Sequence, residues 1–307
     1  MLVNKTTLTA VFVAIKTIFN KAFSGAPSQW EKTCTKVPSG TGTENYDWID
    51  AFPKMREWVG DKVIRKLKGH EYSIKNKPYE ATVEVKRDDL EDNTTGLYSM
   101  QAQSAGQSAK QWPDELTTAL KNNAFTGLCY DGQYFYDTDH PVGGSAEFPV
   151  RNVSNKGTAP LSWASLALAE ASYGAARLAI MSMTDDEGRP LALIPDTLEV
   201  PPALETTANA LMNNEKFADD KPNPYKGQCK VVVNPLLTSA TQWMLHCTSQ
   251  PVKPFIFQVR KEPVFVSQTS MESEDVFMRG SFKFGVEARG NAGYGLWQMS
   301  YGSTGEG

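Results

Sequence analysis

The sequence predicts an α+β fold. Stretches whose apolar residues recur at the 3.6-residue helical period are mixed with stretches in which apolar and polar residues alternate. No regular strand–helix–strand rhythm runs along the chain, which argues against a doubly wound parallel sheet. The 307 residues suffice for one large domain or two modest ones, and the 40% hydrophobic content is that of a globular protein.

The first predicted element is an amphipathic helix over residues 8–23. Its apolar residues recur at helical spacing, whereas Lys16 and Lys21 fall on other faces. A signal peptide is the alternative because Lys5 precedes an apolar run, but the periodic stripe favours the helix. The run itself, residues 10–15, is too short to cross a bilayer. The stripe therefore needs a partner in this chain or in a neighbour.

A long β-hairpin is predicted over residues 72–85, after a polar, turn-rich arm. Asn76, Lys77 and Pro78 are typical turn residues. The residues beyond them alternate apolar and charged or polar side chains, as in a strand with one apolar face. Its apolar positions are Tyr79, Ala81, Val83 and Val85. A two-stranded hairpin is marginal alone in water, so this face should pack on something else.

A long, thinly packed helix is predicted from a cap at residues 93–94 to Gln111. Gly106 weakens it by about 1 kcal/mol relative to Ala. A flexible linker is the alternative, but the many Ala and Gln residues favour the helix. Pro113 predicts the start of a second helical piece, since proline is favoured at a first helical position.

The second half of the chain carries shorter predicted elements. One helix begins at the cap Ser162, and another begins at Pro201 and Pro202. The predicted strands span residues 125–136, 191–194, 229–233, 255–259 and 276–287.

The composition excludes several classes of function. The net charge of −4 argues against a protein that grips nucleic acid backbones. Three histidines leave little material for a histidine-based metal centre or catalytic apparatus. The cysteines form no C-x-x-C pair, so four packed, reduced thiols are expected at Cys34, Cys129, Cys229 and Cys247.

One cluster could carry enzyme chemistry. Carboxylates beside a histidine could bind a divalent metal or orient a base, and residues 128–141 contain Asp131, Asp137, Asp139 and His140. The same residues are turn formers whose side chains bond to nearby backbone groups, and their spacing fits no catalytic signature. The sequence therefore predicts no catalytic, cofactor-binding or metal-binding residues, no cofactor and no enzyme activity.

Several long segments closely resemble the Mu-like phage major head subunit (gpT) family. The segments are FPKMREWVGDK (52–62), YSIKNKPYEATVEVKRDDLEDN (72–93), LCYDGQYFYDTDHP (128–141) and PDTLEVPPALE (195–205). The resemblance implies the Hong Kong 97-type fold of tailed-phage capsid proteins. It implies an N-terminal arm (1–45), an extended E-loop (46–92), a peripheral domain with a long spine helix (93–159 and 255–307) and an axial domain (160–254).

The resemblance also implies a function. The chain is expected to be a major capsid protein that self-assembles, through hexamers and pentamers, into an icosahedral shell enclosing double-stranded DNA. A separate scaffold protein, a protease and a portal are expected as assembly partners, with no membrane involved. The expected location is the virion, and the host cytoplasm during assembly. An encapsulin-like protein compartment is the alternative.

Contacts between copies are expected on the predicted hairpin. The candidate packing residues are Trp58, Val59, Tyr79, Ala81, Val83 and Val85. Replacing Val83 and Val85 with Asp is expected to leave a folded subunit that forms no shells. Lys75 and Lys77 lie near the expected hairpin tip, but nothing around them identifies a cross-linking partner, so no cross-link is predicted.

Overall fold

The computed structural model describes residues 5–46, 72–91, 95–144, 146–270 and 274–307. Its helices are α1 (Lys5–Gly25), α2 (Arg87–Glu91), α3 (Thr95–Asn122), α4 (Leu166–Ala169), α5 (Ala175–Met181), α6 (Glu205–Asn213) and α7 (Glu274–Arg279). Its strands are β1 (Cys34–Pro38), β2 (Thr43–Asn45), β3 (Ser73–Lys75), β4 (Lys77–Lys86), β5 (His140–Val142), β6 (Arg151–Val153), β7 (Lys156–Gly157), β8 (Thr197–Val200), β9 (Lys230–Val233), β10 (Trp243–His246), β11 (Phe255–Gln268), β12 (Ser281–Tyr294) and β13 (Ser300–Ser303).

Two larger sheets organise the described chain. The first has the strand order β1-β11-β12-β4, with β1 parallel to β11 and the other pairs antiparallel. The second has the order β7-β13-β10-β8-β9. Two short ladders, β2–β3 and β5–β6, accompany them. The mixture of helices with mainly antiparallel strands confirms the predicted α+β class.

Helices α1 and α3 cover the inner face of the four-stranded sheet. The predicted N-terminal helix is confirmed, and its apolar stripe packs on α3, with Ile15 and Phe19 buried. The ring of Phe19 lies 5.2 Å from that of Phe265 on β11. Gly106 marks the crossing, because a Cβ atom there would lie 2.5 Å from the carbonyl oxygen of Phe19. The glycine therefore permits close helix packing rather than merely weakening α3.

The predicted second helical piece at Pro113 is wrong, because α3 continues through that proline. An interior proline costs about 3 kcal/mol, since it removes a hydrogen bond and crowds the preceding turn. Tertiary contacts on both sides of Pro113 keep the helix continuous. Trp112 packs against Phe257 at 5.3 Å, and Asp114 accepts hydrogen bonds from the backbone nitrogens of Gln29 and Trp30 at 2.8 and 2.7 Å.

The predicted hairpin over residues 72–85 is also wrong, although both of its strands exist. β3 pairs with β2, and β4 pairs with β12, so the chain runs straight on at Asn76. Asn76 is buried rather than exposed in a turn. Its side chain donates to the Ser39 hydroxyl at 2.7 Å and accepts from Gln258 Nε2 at 2.7 Å. These long-range hydrogen bonds outweigh the local turn preference.

Several shorter elements also differ from prediction. Residues 125–136 contain turns with one isolated bridge, because Asp131 and Gly132 (φ +86°) reverse the chain. Residues 191–194 form no strand, since Ala192 has a φ of +55°, which is incompatible with an extended ladder. Ser165 caps the helix assigned to Ser162, as its Oγ accepts from the Leu168 nitrogen.

The remaining predicted elements are recovered more closely. Pro202–Leu204 and α6 confirm the helix predicted at residues 201–202, and β9 confirms the strand at 229–233. β11 begins at Phe255 as predicted but runs on to Gln268. The strand predicted at 276–287 begins only at Ser281, because α7 precedes it. Gly280, with a φ of +61°, directly follows the helix and terminates it. β10 and β13 were not predicted.

Candidate assembly interface

The apolar face of β4 packs against helices of its own chain. Val85 is 1% exposed and belongs to a cluster that includes Ile15, Phe282 and Phe284. Ala81 and Val83 are half-buried in the same layer. Aspartate at Val85 would bury a charge among apolar groups, so we now expect Val83→Asp/Val85→Asp to destabilise the subunit itself and not only its contacts with other copies. Trp58 and Val59 lie outside the described residues.

The N-terminal end of β4 borders an open groove. Tyr79 and Ala81 line it from the strand, and Ser108 and Trp112 line it from α3. Its volume is about 160 Å³. The Tyr79 and Trp112 rings lie 5.1 Å apart, and the buried Trp112 Nε1 has no hydrogen-bond partner among the described residues. The groove therefore leaves apolar side chains open at the surface of the subunit, a feature suited to receiving another chain.

A second feature is the β2–β3 ladder, whose strands flank residues 47–71. The ladder lies against the outer face of the four-stranded sheet, where Asn291 Nδ2 donates to the Lys75 carbonyl at 2.9 Å. Glu44 organises the preceding turn, because one of its oxygens accepts from the Ser39 hydroxyl and from the nitrogens of Gly40 and Thr41. These hydrogen bonds lower the pKa of Glu44 to about 2.

A buried ionic cluster joins α3 to the five-stranded sheet. Lys121 Nζ lies 2.8 Å from both carboxylate oxygens of Glu199 and 2.8 Å from the Thr33 hydroxyl. Asn234 Nδ2 donates to Glu199 at 2.7 Å, and His246 Nε2 lies 3.2 Å from it. Burial raises the pKa of Glu199, but Lys121 and His246 outweigh that effect and hold it well below its usual range.

The cluster is thus fully satisfied and spans distant parts of the chain. It continues from His246 Nδ1 to the Ser300 hydroxyl at 2.9 Å and on to the Tyr136 hydroxyl at 2.7 Å. Sequence patterns missed Lys121, Glu199 and His246. The available signal was a charged residue in the middle of TLEV, an otherwise apolar stretch that forms the fully buried strand β8.

The geometry of the candidate enzyme cluster indicates a structural role. His140 is buried, with Nδ1 2.6 Å from Asp131 Oδ2, Nε2 3.2 Å from Asn155 Oδ1, and its ring stacked on Trp297 at 4.0 Å. Asp137 instead accepts from the backbone nitrogens of its own turn, those of Tyr134 and Thr138. Among the described residues, no group of three His, Cys, Asp or Glu side chains is arranged to hold a metal ion.

The cysteines are packed thiols without disulfide bonds. All four are buried and free. Burial raises the pKa of Cys34 to about 11 and that of Cys229 to about 11, so neither thiol is activated. Within the described part of the chain, no helix is both long and apolar enough to span a bilayer.

Comparison with solved structures defines the class of protein. The chain is similar to a subunit of the procapsid of bacteriophage JBD30, with a TM-score of 0.63 and 29% sequence identity over 98% of this chain and 76% of that one. The shared architecture is the Hong Kong 97-type fold of phage capsid proteins. The fold therefore defines a shell-forming subunit of a phage head.

The family follows from sequence comparison. The chain matches the family described as Mu-like prophage major head subunit gpT over residues 8–166, 157–237 and 238–306. It is 31% identical over 306 residues to the major capsid protein of Escherichia phage Mu, covering 100% of this chain and 76% of that protein. It is 29% identical over 297 residues to the Mu-like prophage FluMu major head subunit of Haemophilus influenzae, covering 97% and 73%.

The chain therefore belongs to the Mu-like prophage major head subunit gpT family. It is a major capsid protein, a structural component of the virion that self-assembles into the shell of a phage head, and it is not an enzyme. The family match favours the phage head over the encapsulin-like compartment, and the aspartate–histidine cluster has a structural role.

Proposed function

We propose that copies of this chain meet at the groove between α3 and β4. The observation that carries the proposal is the open groove lined by the apolar side chains of Tyr79, Ala81 and Trp112. Val83 and Val85 do not line the groove, whereas the half-buried Tyr79 and Ala81 do, so these two are the described candidates for the contact. Side chains of residues 47–71 of a neighbouring copy, including Trp58 and Val59, supply the partner surface.

The expected domain organisation supports this arrangement. Helix α3 and strands β11 and β12 fall within the proposed peripheral domain (93–159 and 255–307), and strands β8, β9 and β10 fall within the proposed axial domain (160–254). Residues 1–45 and 46–92 are the proposed arm and E-loop, although β1 and β4 from these ranges join the peripheral sheet in the single chain.

The assembly partners follow from the class of protein. Hexamers and pentamers form in the host cytoplasm with a separate scaffold protein, a protease and a portal, and the finished shell encloses double-stranded DNA. The net charge of −4 suits a container, because a strongly basic lining would hold the polymer that it must admit and release.

The groove is tested with two matched serine variants on α3. Ser108 is exposed and lines the groove, whereas Ser104 is exposed one turn earlier and does not line it. Ser108→Arg introduces a bulky charge at the groove without disturbing the core, and Ser104→Arg makes the same change outside it. We expect both subunits to melt within a few degrees of the parent, but only Ser108→Arg to lose shells in electron micrographs and sedimentation. Normal shells from Ser108→Arg would exclude the groove as a contact.

A further inference from the structure

Two tyrosines, Tyr46 and Tyr72, flank residues 47–71 in the chain. Tyr46 N donates to the Tyr72 carbonyl at 2.8 Å, and the two rings lie 6.3 Å apart. Tyr46 is 2% exposed. The two ends of the segment are thus held side by side.

The Tyr46 hydroxyl is tied to β11 through Gln258. It donates to Gln258 Oε1 at 2.7 Å, while Gln258 Nε2 donates to the Ile74 carbonyl at 3.1 Å and to Asn76 Oδ1 at 2.7 Å. Gln258 is fully buried in an otherwise apolar stretch of β11. A buried amide in such a strand is stable only when both of its ends are hydrogen-bonded, and here the β2–β3 region supplies every partner.

The Tyr72 hydroxyl is tied to the neighbouring strand β12. It accepts from the Tyr294 backbone nitrogen at 2.7 Å. Gly293 permits this close approach, because a Cβ atom there would lie 2.9 Å from the Tyr72 hydroxyl and would collide with the Ile74 side chain. Each end of the segment is therefore anchored to a different strand of the rigid four-stranded sheet.

We propose that Tyr46, Tyr72 and Gln258 are positioning residues for shell assembly: they hold the two ends of residues 47–71 at one place on the four-stranded sheet. The role rests on the proposed function, in which that segment contacts a neighbouring copy. Apolar packing alone would let the short ladder slide on the sheet, whereas directional hydrogen bonds to two strands fix its position. Ends held at one place make the contact with each neighbour the same, and a closed shell requires that repetition.

The test removes only the two hydroxyls. Tyr46→Phe/Tyr72→Phe is compared with Tyr136→Phe/Tyr173→Phe, which deletes two buried hydroxyls bonded to Ser300 and Cys229. Each anchor substitution should increase the opening equilibrium of the β2–β3 ladder about fivefold, the effect of one hydrogen bond. Hydrogen exchange at the amides of Tyr46 and Asn76 measures that opening in the unassembled subunit.

The outcomes separate positioning from stability. We expect both double variants to lower the melting temperature similarly, and only the anchor variant to speed ladder exchange and to give fewer shells of the parental diameter. Normal shells from the anchor variant, or equal damage in the control, would overturn the positioning role. A third variant, Trp58→Ser/Val59→Ser, tests the proposed function separately, because normal shells from it would overturn the neighbour contact itself.

Discussion

Lys121→Met removes the cation of the buried ionic cluster and leaves Glu199 without its counter-charge. The two side chains are 3% and 1% exposed, so water cannot replace the lost partner. Breaking a buried pair in this way destabilises a protein by about 3–5 kcal/mol. With an unfolding entropy of about 2.1 cal/mol/K per residue, this corresponds to a melting temperature lower by about 5–8 °C for 307 residues.

The assay is differential scanning calorimetry of the unassembled subunit, with two companion variants. Lys216→Met breaks the salt bridge between Lys216 and Asp220, whose side chains are 61% and 88% exposed, respectively. Because the pair is exposed, this variant should change the free energy of unfolding by less than about 1 kcal/mol. Lys121→Met/Glu199→Gln removes both charges while keeping an amide for Asn234 and His246, and should recover much of the loss.

Two results would refute this reasoning. One is a Lys121→Met melting temperature as close to the parent as that of Lys216→Met, because a buried uncompensated charge must cost more than an exposed one. The other is a double variant no more stable than Lys121→Met alone, since the loss would then come from packing rather than charge.

Two other perturbations test the core and the pH response. Burial lowers the pKa of His246 below its usual 6.5, although Glu199 acts in the opposite direction, so the unfolded chain binds the proton first. The free energy of unfolding should therefore fall as the pH drops below about 6.5. His246→Gln should reduce this pH dependence in urea unfolding measured at several pH values, and an unchanged dependence would contradict the prediction. Gly106→Leu should destabilise the subunit by about 1–3 kcal/mol in urea unfolding despite better helix propensity, because its side chain meets the backbone of α1. Gly40→Leu, at an open position, is the control, and a stabilised Gly106→Leu would show that the helices do not meet there.

The sequence by itself determined the elements whose periodicity is strong. The apolar stripe around Ile15 and Phe19 specifies α1, and the alternation through Val83 and Val85 specifies β4. Several long motifs also identified the family and, with it, the fold and the function. Periodicity is a local property and a family resemblance is the sum of several local motifs, so both can be recognised from the sequence alone.

Only the tertiary structure decided the pairings and the polar core. β4 pairs with β12, about 200 residues away, so the turn residues at Asn76 could not indicate its partner. Pro113 stays inside α3 because distant residues hold both halves of the helix.

The buried polar residues were invisible for the same reason. Gln258, Lys121 and Glu199 are polar side chains in buried surroundings, stabilised by partners that are far away in sequence. A sequence shows that such a residue is polar, but only the folded chain shows which donors and acceptors reach it. A polar side chain within a buried strand or helix is therefore the one local signal of such a network.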